Sequence, residues 1–166
     1  MKEILDFYNE VKNIEYGWHD KNGKIHTSLK DNYKQDFRLQ PIDKVIEDNH
    51  AVCWEMCELQ RDFFKKNNIN NKTIFAYIKK NNICHTFSVF EYNNKYYWFE
   101  ASWSNKKGIH EFDSLEDILD YYRDNFQDFA KEYNREDLLF FEYDNIKPGM
   151  TTEEYYNHCL NSILIK

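Results

Sequence analysis

The segment from Val52 to Lys66 constrains the fold more than any other part of this chain. Val52, Met56, Leu59 and Phe63 recur along one helical stripe, and Cys53, Cys57 and Phe64 widen it. A helix that is apolar around so much of its girth is buried on most sides. Strands follow it directly. After an Asn-rich stop at 67–71, the residues 73–79, 85–92 and 95–103 have the β-branched and aromatic density of strands, and Asn93-Asn94 joins the last two as a tight turn.

The flanking elements are read from the same signals. Ile4, Leu5, Tyr8 and Val11 predict an amphipathic helix over 1–12. Residues 16–40 are polar and broken by Gly17 and Asn22-Gly23, which predicts loops with one short hairpin. Pro41 suits the first turn of a short helix through Val45 and Ile46. Ser114, three residues before Asp117, opens a helix carrying Leu115, Ile118, Leu119 and Tyr122, and a second helical stretch is expected to reach Tyr133. A strand over 138–143, a turn at Lys147-Pro148-Gly149 and a closing helix capped by Thr151 or Thr152 complete the chain.

Length and charge narrow the function classes. With 166 residues the chain is the size of one domain, 1–166, and can bury a core without disulfides or metals. Its 22 basic against 29 acidic residues give −7, and counterion release on a phosphate backbone needs a basic face, so nucleic acid is not an expected partner. No apolar run is long enough to span a membrane, and the opening MKEILDFYNEV lacks the core of a signal peptide, so a cytoplasmic protein is expected. In that compartment Cys53, Cys57, Cys84 and Cys159 stay reduced.

Each thiol is then weighed alone. A thiol works as a nucleophile in its thiolate form, which the unpaired N–H groups and dipole of a helix N-terminus favour. Cys53 sits at that end. The same N–H groups can bind the oxyanion that forms when a thiolate attacks a carbonyl. A thiol nucleophile also needs an imidazole to take its proton, and the imidazole needs an acid or amide to hold its ring. If Asn93-Asn94 are the turn, Tyr92 pairs with Lys95, Phe87 faces Glu100, and His85 and Glu100 become diagonal neighbours on one face. By the same parity Cys84 points the other way.

Three blocks, AVCWEMCELQRDFF, HTFSVFEY and KYYWFEASW, separated by 32 residues from Cys53 to His85 and 15 from His85 to Glu100, resemble the Cys, His and acid motifs of the transglutaminase-like superfamily. YGWHDKNGK, FRLQPIDKV, GIHEFDSLEDIL and KPGMTTEEYYNHC are similar to a subgroup of small bacterial members, so the resemblance covers most of the chain. It implies an α+β papain-like fold, a core helix packed on an antiparallel sheet, and covalent acyl-enzyme chemistry by Cys53, His85 and Glu100. The substrate it implies is a peptide or protein amide carbonyl. No metal or organic cofactor is required. Gln40 is the resemblance's candidate for a side-chain oxyanion donor, the alternative being a solvated loop amide; Trp18 lies over the cleft or simply packs. The chain departs from the family's usual pattern at Ala51, where Gly is common two residues before the Cys, and at Glu100, where Asp is.

Members of that superfamily include crosslinkers, peptidases, deamidases and glycanases, so fold alone does not choose the reaction. Hydrolysis through a thioester is the first expectation. A catalytically silent module binding peptide or protein is the competing one, and a toxin-type deamidase a third. Cys57, Cys84 and Cys159 are expected in the core, and Cys53-x3-Cys57 with Cys84-His85 matches a zinc site poorly. His19, His26, His50, His110 and His158 are read as surface or packing residues, Trp54, Trp98 and Trp103 as walls or core, and the acidic run 111–117 as a solvated face.

Overall fold

A computed structural model describes residues 1–29, 32–144 and 146–165. Helix α1 (Lys2–Val11) leads into short strands β1 (Glu15–Tyr16), β2 (Trp18–His19) and β3 (Ile25–His26), then α2 (Tyr33–Asp36), α3 (Ile42–Asp48) and β4 (His50–Ala51). The long helix α4 (Cys53–Lys66) precedes β5 (Asn71–Ile78), β6 (Ile83–Tyr92), β7 (Lys95–Glu100) and β8 (Gly108–Phe112). Helix α5 (Leu115–Asn125), β9 (Leu138–Tyr143), α6 (Thr152–Leu160) and β10 (Ile163–Ile165) close the chain. The fold is α+β, built on a six-stranded sheet in the order β10-β9-β5-β6-β7-β8 in which every neighbouring pair is antiparallel.

Alternation along the strands divides the core. Ile74, Ala76, Phe87, Val89 and Trp98 pack with Ile118, Leu119 and Tyr122 of α5 on one face. Phe90 and Phe99 pack with Met56, Leu59 and Phe64 of α4, and with Ile4 and Phe7 of α1, on the other. Helix α4 is buried at every residue from Cys53 to Cys57, including Trp54 and Glu55, as its wide apolar girth requires. Its N-cap, Val52, has no side-chain acceptor. Glu55 fills the need from inside the helix: its carboxylate accepts from Val52 N at 3.0 Å and from Gln40 N at 2.8 Å.

The Asn93-Asn94 turn forms as expected, with both residues left-handed (φ 50° and 61°), the geometry of a two-residue type I′ hairpin. Its ladder runs from Tyr92↔Lys95 to Ser88↔Phe99 without a bulge. The Asn22-Gly23 hairpin is also present, as β2 paired with β3. Ser114 caps α5 by accepting from Asp117 N at 3.1 Å, and Thr151, not Thr152, caps α6. Pro41 stands just before α3 rather than inside its first turn.

Four expectations need correction. Strand β7 ends at Glu100, not at residue 103, because Ser102 N and Trp103 N donate to the Glu100 carboxylate and turn the chain out of the sheet. The second helical stretch to Tyr133 does not form. After α5 there is only a 3-10 turn, Phe126–Asp128, and the Tyr133 hydroxyl folds back to donate to Arg123 O and accept from Phe126 N. Within α1, Phe7 takes the buried place expected for Leu5, which is 45 % exposed. Glu111 and Phe112, read within a solvated acidic run, belong to β8, although the run's charges do face out. Among the described residues no helix is long and apolar enough to cross a membrane.

Candidate active site

Glu100 is the fixed point of the site. It is 2 % exposed and ends β7, so its carboxylate lies inside the core rather than on a strand face open to water. Five donors meet it. Oε1 accepts from Ser102 N at 2.7 Å and Trp103 N at 2.8 Å, while Oε2 is 3.0 Å from His85 Nε2 and accepts from Trp98 Nε1 and Tyr122 Oη, each at 3.3 Å. Burial alone would raise this carboxyl's pKa; the facing His85 charge and the two backbone N–H groups outweigh it and hold the group below its usual range. Glu100 is therefore an anchored anion.

His85 stands on β6 opposite Ala76 of β5, and its ring is pressed on by Phe129, stacked at 4.7 Å, with Trp103 edge-on at 5.9 Å. Burial by itself lowers an imidazole's pKa. Here the Glu100 charge, the Glu100 hydrogen bond and the neighbouring Cys53 thiol reverse that and push it up to about 10. Because Nε2 is taken by Glu100, the nitrogen left for Cys53 is Nδ1. Cys53 itself opens α4 and is 7 % exposed. The structure thus brings Cys53, His85 and Glu100 into one cluster.

That meeting crosses the sheet. His85 shares the α5 face with Phe87 and Tyr122, whereas α4 lies on the opposite face, where its Met56 and Phe64 pack with Phe90. The contact is possible because the β6–β7 ladder stops at Ser88↔Phe99, so His85 has β5 on one side and no β7 partner on the other. The first turn of α4 reaches the ring through that opening.

Gln40 is not drawn into this cluster. Its side-chain amide donates to Arg38 O at 2.7 Å, and the residue lines a groove of 570 Å³ with Phe7, Ile42, Leu59 and Phe63. Trp18 is buried, stacks on His26 at 4.3 Å and donates to Ser28 O at 2.9 Å. Ala51 sits in β4, bridged to Tyr16, and its backbone is not left-handed, so it needs no glycine there. Cys57 and Cys159 are core residues whose thiols burial pushes well up; Cys84 is shifted the same way and lies 2.9 Å from Tyr156 Oη, away from His85 as parity required. Trp54 and Trp98 are buried, and Trp103 walls the imidazole. His19 is fully buried 2.7 Å from Asp48, and His26, His50 and His110 are partly buried, each bonded to an acid or a carbonyl.

No family model matches the chain, and neither does any curated protein or solved structure. The site therefore rests on its own geometry. Among the described residues no group of three His, Cys, Asp or Glu is arranged to hold a metal ion.

Sequence reasoning missed several residues that shape this site. Tyr122 and Trp98 were read as core, yet both donate to Glu100. Phe129, read within a helix, lies flat on His85. Glu55, which pins the start of α4, carried a usable signal: it stands three residues after the N-cap, the acidic position of a capping box. Its burial raises its own pKa to about 7, against the pull of the two backbone N–H groups.

Proposed function

We propose that this chain is a thiol-dependent hydrolase or acyltransferase of amide or peptide carbonyls, with a papain-like core of the transglutaminase-like kind. The observation that carries the reading is the ordered relay: a buried carboxylate with five donors holds His85 by Nε2, leaving Nδ1 to the thiol at the tip of α4. Cys53 gives its proton to His85 and its sulfur attacks the carbonyl carbon. The carbonyl electron pair moves onto oxygen, which the Cys53 backbone N–H at the helix end stabilises. Collapse of that intermediate breaks the C–N bond as His85 returns the proton to the leaving amine. Water then resolves the thioester by the same route, and an amine in its place gives transfer. Each step uses the chain's own side chains and backbone, and all four thiols are free.

The low exposure of Cys53, 7 %, favours a second reading in which the cleft binds a peptide or protein and the thiol never turns over. Iodoacetamide labelling separates the two. Selective alkylation of Cys53 that drops on His85→Ala supports the enzyme; alkylation at Cys53 indifferent to His85 supports the binding module. One-dalton mass gains on Gln residues of a supplied protein would point to deamidation instead.

A further inference from the structure

The Cys53 backbone N–H is one oxyanion donor, and a side chain can supply a second. Gln40 has its amide engaged with Arg38 O. Tyr16 is near enough to Cys53 to feel its charge. Strand β1 pairs in parallel with β4, placing Tyr16 beside Ala51, and the bridge is locked by Glu15 N to Asn49 O at 3.0 Å and Gly17 N to Ala51 O at 3.2 Å. Neighbours across a ladder project to the same side, and so do residues two apart along an extended chain. Val52, between Ala51 and Cys53, is extended (φ −91°, ψ 170°). The Tyr16 side chain and the Cys53 thiol therefore leave the backbone in the same direction.

A small cavity of 90 Å³ lies beside the β1–β4 pairing. Tyr16, Ala51 and Met56 wall it from the Cys53 side, and Ala101 and Ser102, which follow Glu100, wall it from the other. Tyr16 is 43 % exposed, and among the described residues its hydroxyl makes no hydrogen bond within the protein. The hydroxyl end is crowded, and that crowding, with Cys53, Cys84 and Glu55 nearby, raises its pKa, so it stays a donor through the neutral range.

We infer that Tyr16 supplies the side-chain hydrogen bond to the acyl oxygen, opposite the Cys53 backbone N–H. This rests on the thiol chemistry proposed above. It makes Tyr16 a catalytic residue.

Two reagents isolate the contribution. With p-nitrophenyl acetate the Cys53 thiolate forms a C–S bond, the ester C–O bond breaks and nitrophenolate leaves with the electron pair, after a carbonyl oxyanion has formed. With iodoacetamide the thiolate displaces iodide from a saturated carbon, and no oxyanion forms there. Tyr16→Phe keeps the ring and removes only the hydroxyl. The expected result is a loss of about 100-fold in the acylation rate, as for one oxyanion donor removed, with alkylation of Cys53 within about twofold of the parent. Acylation within about threefold of the parent, with alkylation still dependent on His85, would overturn the role of Tyr16 and leave the thiol enzyme standing. An equal fall in both rates would overturn it too, since that marks a structural effect. Alkylation that ignores His85 in the parent protein overturns the enzyme and this inference together.

Discussion

Replacing Glu100 by Gln tests the relay at its anchor. The substitution keeps the side-chain shape, and the amide oxygen can go on accepting from Ser102 N and Trp103 N. The place of Oε2 is then taken by an NH2 group facing three donors: His85 Nε2, Trp98 Nε1 and Tyr122 Oη. Donor against donor is tolerable only if His85 gives up its Nε2 proton. The rise of His85 from 6.5 to about 10 corresponds to ~5 kcal/mol of net preference for the charged ring, and Glu100 is its largest favourable source. Without that charge, burial is opposed only by the Cys53 thiol, and the ring's pKa falls from its raised value. A neutral ring accepting at Nε2 carries its proton on Nδ1, the wrong tautomer to receive one from Cys53. An unassisted thiol is a few per cent thiolate at pH 7, so iodoacetamide alkylation should slow by roughly 10- to 100-fold. Stability should fall by about 3–5 kcal/mol, the cost of breaking a buried pair from one side. The imidazole titration is read by nitrogen-15 NMR, with His85→Gln identifying the resonance. A Glu100→Gln ring still titrating above pH 8, or alkylation within twofold of the parent, would refute the reasoning.

Other substitutions test the scaffold. Glu55 has its carboxyl raised from 4.5 to about 7 in the folded state, so its protonation stabilises the fold fully below about pH 4.5 and that stability is lost as pH rises through about 7. The loss amounts to ~3 kcal/mol, and urea midpoints at pH 5 and pH 8 should lie closer together in Glu55→Gln than in the parent; an unchanged gap would contradict this. His85 is likewise raised, so its contribution is complete below about pH 6.5 and drains away toward pH 10, a slope that His85→Gln should remove from the same titration. Asn94→Gly relieves a left-handed residue in the β6–β7 turn and should stabilise by about 1 kcal/mol in thermal unfolding, with no change in Cys53 alkylation.

The parts of this fold that were legible in the sequence are those fixed by nearby residues. Helix α4 was legible because its apolar girth needs no partner to be recognised, and the Ser114 cap because Asp117 stands three residues away. The β6–β7 hairpin was legible because one turn dipeptide sets every cross-strand pair after it. Pairings made at long range left no such mark. The β1–β4 bridge is two residues long and joins Tyr16 to Ala51 across two intervening elements and a hairpin; β8 and β10 are short edge strands whose sequence, GIHEF and ILI, says little about a neighbour. The helix expected to reach Tyr133 is the instructive error. Phe126, Phe129 and Tyr133 do repeat at helical intervals, but Phe126 fills the core, Phe129 covers His85 and Tyr133 ties off α5. Their spacing reflects three separate duties.

The same division holds within the candidate site. Parity on the hairpin gave His85 and Glu100 a common face, and they share one. Parity could not say which layer covers that face, and it is α5 with Tyr122, not the helix that carries Cys53. On a sheet continuous past His85 the thiol and the imidazole would be walled off from each other. What joins them is the early end of β7. Glu100 takes the amides of Ser102 and Trp103, the chain leaves the sheet, and β6 is left unpaired beside His85. An Asp at that position is one methylene shorter, so it would have to draw either His85 or the departing chain inward by about one bond length to keep both sets of bonds. The longer acid thus suits a site in which one carboxylate both holds the imidazole and opens the gap through which the sulfur reaches it.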